Sequence, residues 1–240
     1  MFSTIFIFAF VILHVAAEMP PYIHVCGRKN PDLDNCIINS IEDLREKICM
    51  GIPELEVPPL EPFVIDSMTI SDTNDAKLFL KNSKIMGVCN FVINTFHIEL
   101  DKLQLNLTVT FPKAYINGTY DIDIRVLVPV AHKGPIYLTM DNIIAKGTLD
   151  LKIITRHGER YVYITKINLH LGMKGLKSKF DANESAQLNE IIGTFLGNNE
   201  EELIAKIKPS MEKEVSKEIL LLANNIVKHF TFDELFPDRA

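Results

Sequence analysis

The chain has 240 residues, 47% of them hydrophobic and 23% charged, enough apolar content for a sizeable core and too much for a disordered chain. A net charge of -6 gives no electrostatic reason to bind nucleic acid or an anionic membrane. Neither partner is expected.

The chain opens MFSTIFIFAFVILHVAA, which is apolar from Phe2 to Ala17 apart from one His and carries no charge, with Glu18 and Pro20-Pro21 following at once. That is the length of a signal-peptide core and is too short to span a bilayer comfortably. Val15-Ala16-Ala17 forms a small-residue cleavage pattern, although a basic leader is missing. Residues 1–17 are therefore read as a cleaved signal and 18–240 as one secreted, extracellular domain. Sequons at Asn106, Asn117 and Asn183 agree with that route.

Secretion governs how the four cysteines are read. Cys26 and Cys36 bracket a short loop, CGRKNPDLDNC, whose Gly, Pro and Asp let the chain turn back, and a disulfide is expected there. Zinc is the rival, but no CxxC or paired His accompanies these residues. Cys49 and Cys89 are scattered, and the residues leave open whether they pair or stay as two buried thiols.

From Leu33 to Met50, apolar residues at Ile37, Ile38, Ile41, Leu44 and Ile48 recur at helical spacing, with acidic residues early, Arg45 and Lys47 late, and Gly51 as a stop. The connector GIPELEVPPLEP follows. Its prolines suit an extended crossing toward a first strand near Phe63, with Ile52, Leu55, Val57 and Leu60 turned inward to close one end of the interior.

The period then changes to two for about a hundred residues. Leu103, Leu105, Leu107, Val109 and Phe111 alternate with polar residues, as do Tyr120, Ile122, Ile124, Val126, Val128 and Val130. Asn117-Gly118 between these runs reads as a hairpin turn. Further strands are expected over Ile136 to Ile154 and Tyr161 to Met173, joined at Arg156-His157-Gly158-Glu159. The phase slips between Leu100 and Leu103 and between Met140 and Ile143, where β-bulges would bend the sheet. Such a sheet has one polar face and one apolar face that needs a cover.

That cover is expected at the C-terminal end. Leu203, Ile207, Met211, Val215, Ile219, Leu222 and Ile226 predict one long helix over 199–230, kinked at Pro209. The fold class is α+β: a short N-terminal helix, then a highly curved antiparallel sheet wrapped around a long C-terminal helix.

Taken together, the Cys26/Cys36 loop with PDLDNCIINSIEDLR, then GIPELEVPPLEP, MGVCNFVIN, LTVTFPKAYINGTYDID and FDELFP resemble the insect takeout and haemolymph juvenile hormone binding protein family, in order and over essentially the whole chain. The resemblance implies a tubular lipid-binding fold, an elongated barrel-like shape with an internal apolar tunnel, and a Cys26–Cys36 disulfide. It also implies carriage of a small hydrophobic ligand: a juvenile hormone-like terpenoid, another long-chain lipid or a semiochemical.

In such a tunnel, candidate wall residues are Leu105, Leu107, Val109, Ile122, Ile124, Val126, Met211, Val215 and Ile219. Candidate polar handles are Tyr120, Tyr137, Tyr161, Tyr163 and Thr165, the last three in phase with Ile167, Leu169, Leu171 and Met173. Most of these aliphatics are expected to be ordinary core, and the favoured reading of each tyrosine is a strand residue with its hydroxyl in solvent. Enzyme readings fare poorly. Asp121 and Asp123 share a strand face with Arg125, which is a solvated charge stripe. His97, His132, His157 and His170 are dispersed, and no HExxH, GxSxG, P-loop or GxGxxG occurs. The expected molecule is a monomeric carrier without cofactor, metal or stable membrane insertion. The alternative is a secreted signalling protein that acts through its surface on a receptor and has no ligand in its core.

Overall fold

The computed structural model describes residues 19–125, 129–180 and 200–240. The expected signal segment 1–17, Val126 and the sequon at Asn183 lie outside the described residues.

The N-terminal helix forms in two pieces, α1 (Leu33–Asp43) and α2 (Arg45–Met50), which meet at Leu44. Gly51 stops α2 with φ +90°, a conformation that L side chains resist. The connector is not extended, as its prolines suggested, but folds back on itself. Ile52 and Val57 exchange backbone hydrogen bonds of 2.8 and 3.1 Å around a 3-10 turn at Pro53–Leu55. Proline at the first position of that turn loses only an N–H that has no partner there. Ile52, Leu55 and Val57 are buried, whereas Leu60 is half-buried.

Seven strands follow: β1 (Phe63–Asp72), β2 (Ala76–Met86), β3 (Val92–Glu99), β4 (Gln104–Arg125), β5 (Pro129–Arg156), β6 (Glu159–Gly172) and β7 (Gly175–Phe180). All pairs are antiparallel. The long β4 and β5 form the spine. β2 and β3 follow one another along the outer side of β4, β6 and β7 follow one another along the outer side of β5, and β1 borders β2.

Of the two expected hairpin turns one fails and one holds, and neither expected bulge forms. Asn117-Gly118 makes no hairpin: Asn117 pairs with Tyr137 and Gly118 with Ile136, so Gln104–Arg125 runs as one strand of 22 residues. Gly118 serves a close approach instead, since a Cβ there would lie 2.9 Å from Ser83 Oγ. The slip between Leu100 and Leu103 is the β3–β4 turn, with Leu103 at φ +52°, and not a bulge inside a strand. The β5–β6 hairpin turns where expected, at His157 (φ +52°) and Gly158 (φ +88°).

The slip between Met140 and Ile143 is a real change of phase but not the expected bulge, and it has a partner on β4. Pro112 on β4 lies opposite Asn142 on β5, which has φ +51°, and the inward set changes phase on both strands at this level. On β4 it passes from Phe111 to Ala114 and on β5 from Ile143 to Met140, with no loss of register. The sheet is thereby divided into two halves that share β4 and β5.

The helix α3 (Glu200–Val227) spans roughly 42 Å at 1.5 Å per residue and continues through Pro209. It packs on β6 and β7 along one side of the sheet and on β1 at the opposite edge, so it closes the curled half-barrel. A short α4 (Phe232–Leu235) ends the fold. Thr231 and Glu234 form a capping box at its start.

Candidate ligand-binding site

Two packed regions lie on the inward side. The larger joins Ile65, Met68, Leu80, Ile116, Tyr120, Leu138 and Met140 of the first sheet half to Ile207 and Met211 of α3. The smaller joins Ile52, Leu55, Val57 and Phe230, with Leu222 and Ile226 of α3 packed against them.

Between them the inward face stays apolar and is only half covered. Cross-strand pairing puts Ile98, Leu105, Leu149 and Ile167 in one row and Phe96, Leu107, Gly147 and Leu169 in the next. Leu105, Leu107, Val109, Leu151, Ile153 and Ile167, together with Ile219 of α3, are each half-buried and belong to neither packed region. Leu107 leans into the place left by Gly147, its Cδ2 3.0 Å from where a Cβ would stand. Ala145, Phe111, Leu169 and Val215 border this space from the packed side.

Of the residues expected to line a site, Leu105, Leu107, Val109 and Ile219 fall in this stretch, and Val215 at its margin. Tyr120, Ile122, Ile124 and Met211 are buried in the dense half. The Tyr120 hydroxyl lies 2.8 Å from His132 Nδ1 and the two rings stack, so this polar pair belongs to packed core.

The inward phase read for Tyr161, Tyr163 and Thr165 is corrected. Thr165 is an extra residue between Lys166, paired with Asp150, and Ile164, paired with Leu151. This bulge reverses the alternation, so Val162 and Ile164 are buried at 6% and 5% while Tyr163 is 43% exposed. Thr165 Oγ1 donates to the Asp150 carbonyl at 3.0 Å on the exposed side. Tyr161 is half-buried beside Thr231, and Tyr137 is exposed on the outer face. Sequence reasoning missed Ala145 and Gly147, whose small side chains gave no signal of their own.

The described N-terminal residues are fastened around this half. Disulfides join Cys26 to Cys36 and Cys49 to Cys89, which settles the second pair. The second ties α2 to the turn that leads into β3. Arg45 reinforces it by donating to the Cys89 and Phe91 carbonyls at 3.0 and 2.7 Å while lying over the Phe91 ring. Asp34 of α1 accepts from the Ile98 N–H at 3.0 Å and pairs with His97 at 2.8 Å, which raises the His97 pKa.

The sequence matches the family described as haemolymph juvenile hormone binding protein (JHBP) over residues 5–237. The chain belongs to that family. As a family member it is similar to the circadian clock-controlled protein daywake of Drosophila yakuba, 25% identical over 219 residues that cover 85% of this chain and 84% of the relative. It is also similar to a putative beta-carotene-binding protein of Schistocerca gregaria, 20% identical over 91% of this chain and 89% of that one. The juvenile hormone-binding protein of Manduca sexta is 27% identical over 93 residues, 38% of this chain and 39% of the relative. Among solved structures, takeout 1 of Epiphyas postvittana aligns with a TM-score of 0.70 at 20% identity, covering 89% of this chain and 99% of that one. At that identity the likeness establishes the fold.

The end of this JHBP-family domain beyond the half-covered stretch is held by charge. Arg28 and Arg160 both reach Asp233, at 2.6 and 2.9 Å, and depress its carboxyl pKa, Arg28 more strongly. Both guanidinium groups also lie over the Phe232 ring. Lys228 pairs with Glu56 at 2.6 Å, and the Tyr22 hydroxyl donates to Glu54. Burial, then that hydrogen bond, pushes the Tyr22 pKa up to about 12.

Proposed function

We propose that this protein is a secreted carrier that holds one small hydrophobic molecule between α3 and the second half of the sheet. The observation that carries the reading is the stretch around Leu105, Leu107, Val109 and Ile167, which faces inward, is wholly apolar and is only half-buried. A domain with no cargo gains nothing by leaving those side chains uncovered between two packed regions. The names of two relatives, a juvenile hormone-binding protein and a putative beta-carotene-binding protein, point the same way.

Affinity then comes from apolar burial. At about 0.8 kcal/mol per methylene, ten buried methylenes contribute roughly 8 kcal/mol before ordering costs, which suffices for a micromolar carrier. On the sheet side this stretch is apolar, so cargo there is selected by length and shape. Terpenoids, long-chain lipids and apolar semiochemicals are the classes that fit. Cleavage of residues 1–17 and action as a monomer belong to the same reading.

Native mass spectrometry of the protein secreted by a eukaryotic cell line, followed by titration with a fluorescent long-chain fatty acid, tests it. A co-purifying apolar mass, or saturable uptake of one probe per chain, is expected. A chain that is empty and takes up no probe overturns the reading.

A further inference from the structure

Tyr115, Asn117 and Thr119 lie two apart on β4 and therefore on one face. The residues between them fix that face as the outer one. Ile116 is 1% exposed, and Gly118 packs so closely on Ser83 that no side chain fits. Asn117 is thus held outward by its inward neighbours.

Two aromatic rings flank it. Tyr137 on β5 is the direct cross-strand partner of Asn117, at a position where opposed Cβ atoms stand about 4.5–5.5 Å apart. Tyr115 precedes Asn117 by two residues on the same face. These rings are 48% and 43% exposed, unusually bare for large side chains in the middle of a sheet, although Lys113 Nζ stands 5.9 Å from the Tyr115 ring centroid. The Asn117 carboxamide makes no hydrogen bond among the described residues, whereas Asn106, in the other sequon of β4, accepts from Thr148 Oγ1 at 2.8 Å. The ring facing Asn106 across β3 is that of His97, which is held by Asp34.

We infer that Asn117 carries an N-linked glycan whose first N-acetylglucosamine lies on Tyr137 and Tyr115. The C–H face of a pyranose is apolar and slightly positive, and it suits the negative face of an aromatic ring. The sugar would cover the two bare rings, and the rings would hold the glycan against the sheet. In the transfer, Asn117 Nδ2 forms a bond to the anomeric carbon of a lipid-pyrophosphate oligosaccharide. The lipid pyrophosphate leaves and the amide gives up one proton, a step performed by the cell's oligosaccharyltransferase. The inference rests on the secretory reading above, because only that route supplies the donor.

The full chain expressed in a secreting eukaryotic cell line and recovered from the medium provides the test. Glycopeptide mass spectrometry is expected to find Asn117 occupied. Asn117→Gln is expected to lower the thermal midpoint by about 2 to 4 °C. In a Tyr115→Ser, Tyr137→Ser background the same change is expected to have no effect, because the platform is already gone. An unmodified Asn117 in secreted protein overturns the inference, as does an Asn117→Gln effect of equal size with and without the tyrosines. A chain retained in the cell without any glycan overturns it by a different route, through failure of the secretory reading itself.

Discussion

Asn224 on α3 engages both backbone groups of Ile164 on β6: its Nδ2 donates to the Ile164 carbonyl at 2.9 Å, and its Oδ1 accepts from the Ile164 N–H at 2.9 Å. The side chain stands in for a further strand. Glu212 and Glu200 act likewise, accepting from the N–H groups of Leu171 and Leu176, each at 2.7 Å. The exposed edge left by β6 and β7 is thus satisfied by the helix that covers it. Asn224→Leu leaves two part-buried backbone groups unpaired and is expected to cost about 2 to 3 kcal/mol. Asn224→Asp, which keeps the acceptor, is expected to cost less. Urea midpoints with an unchanged m-value check this, and equal stability of the leucine variant would remove the edge-capping role.

The fold was legible where patterns are long. Alternation over Leu103–Phe111 and Tyr120–Ile124 marked the inward faces of β4, and the spacing from Leu203 to Ile226 marked α3. What could not be read were events of one residue. The bulge at Thr165 reversed the face of Tyr161 and Tyr163, and nothing in YVYITKINLHL marks the position of the extra residue. Asn117-Gly118 carries strong turn chemistry, which tertiary context overrode because Gly118 was needed for the approach of Ser83. The roles of Glu200, Glu212 and Asn224 left no signal, since a sequence does not reveal which strand ends up unpaired. The candidate site was half visible for a related reason. Alternation identifies an inward residue, but only the distribution of packing separates Leu107 from Ile116.

Acid is expected to loosen the end held by Asp233. Its carboxyl pKa is depressed by Arg28 first and Arg160 second, so the paired carboxylate contributes stability that is fully present above the ordinary carboxyl value of about 3.9. That contribution is lost as pH falls through the lower folded value. Asp233→Asn is therefore expected to lower the thermal midpoint at pH 7, with the gap to wild type closing below about pH 4. Hydrogen exchange at the Phe236 N–H, which bonds the Phe232 carbonyl at 2.9 Å, reports the same loosening locally. A gap that persists unchanged at low pH would assign the loss to packing instead.

His97 titrates in the opposite sense. Asp34 raises its pKa, so the pair contributes stability that is present below the ordinary histidine value of about 6.5 and lost as pH rises through the higher folded value. His97→Gln is expected to flatten the dependence of the thermal midpoint on pH between about 6 and 8, with little change above that range. The Asp34 bond to the Ile98 N–H survives the substitution and keeps α1 on β3. An unaltered profile would show that the contact is neutral.

The Cys49–Cys89 disulfide closes a segment with a sequence separation of 40, which corresponds to about 4 kcal/mol in the chain-entropy account. Replacing both cysteines by serine is expected to lower stability by roughly that amount and to raise hydrogen exchange in α2 and at the start of β3. Arg45 still holds the Cys89 and Phe91 carbonyls in the variant, so the fold should persist. A loss below about 1 kcal/mol would mean that α1 and α2 dock without the covalent tie.

The division of the inward face into a packed half and a half-covered half makes opposite predictions for two substitutions. Ile116 is 1% exposed within the dense region, so Ile116→Ala is expected to cost about 2 to 5 kcal/mol in stability. The folded variant should keep its affinity for a long-chain fluorescent probe if, as proposed, the cargo sits in the other half. Ala145 is half-buried at the border of the uncovered stretch, in register with Val109 on β4 and Leu171 on β6. Ala145→Phe adds a ring at the border between the dense region and the half-covered stretch. It is expected to leave stability within about 1 kcal/mol of wild type while weakening the probe at least tenfold, about 1.4 kcal/mol of binding free energy. The reverse result, with the phenylalanine variant unfolding and the alanine variant losing the probe, would move the cargo into the half containing Tyr120 and His132.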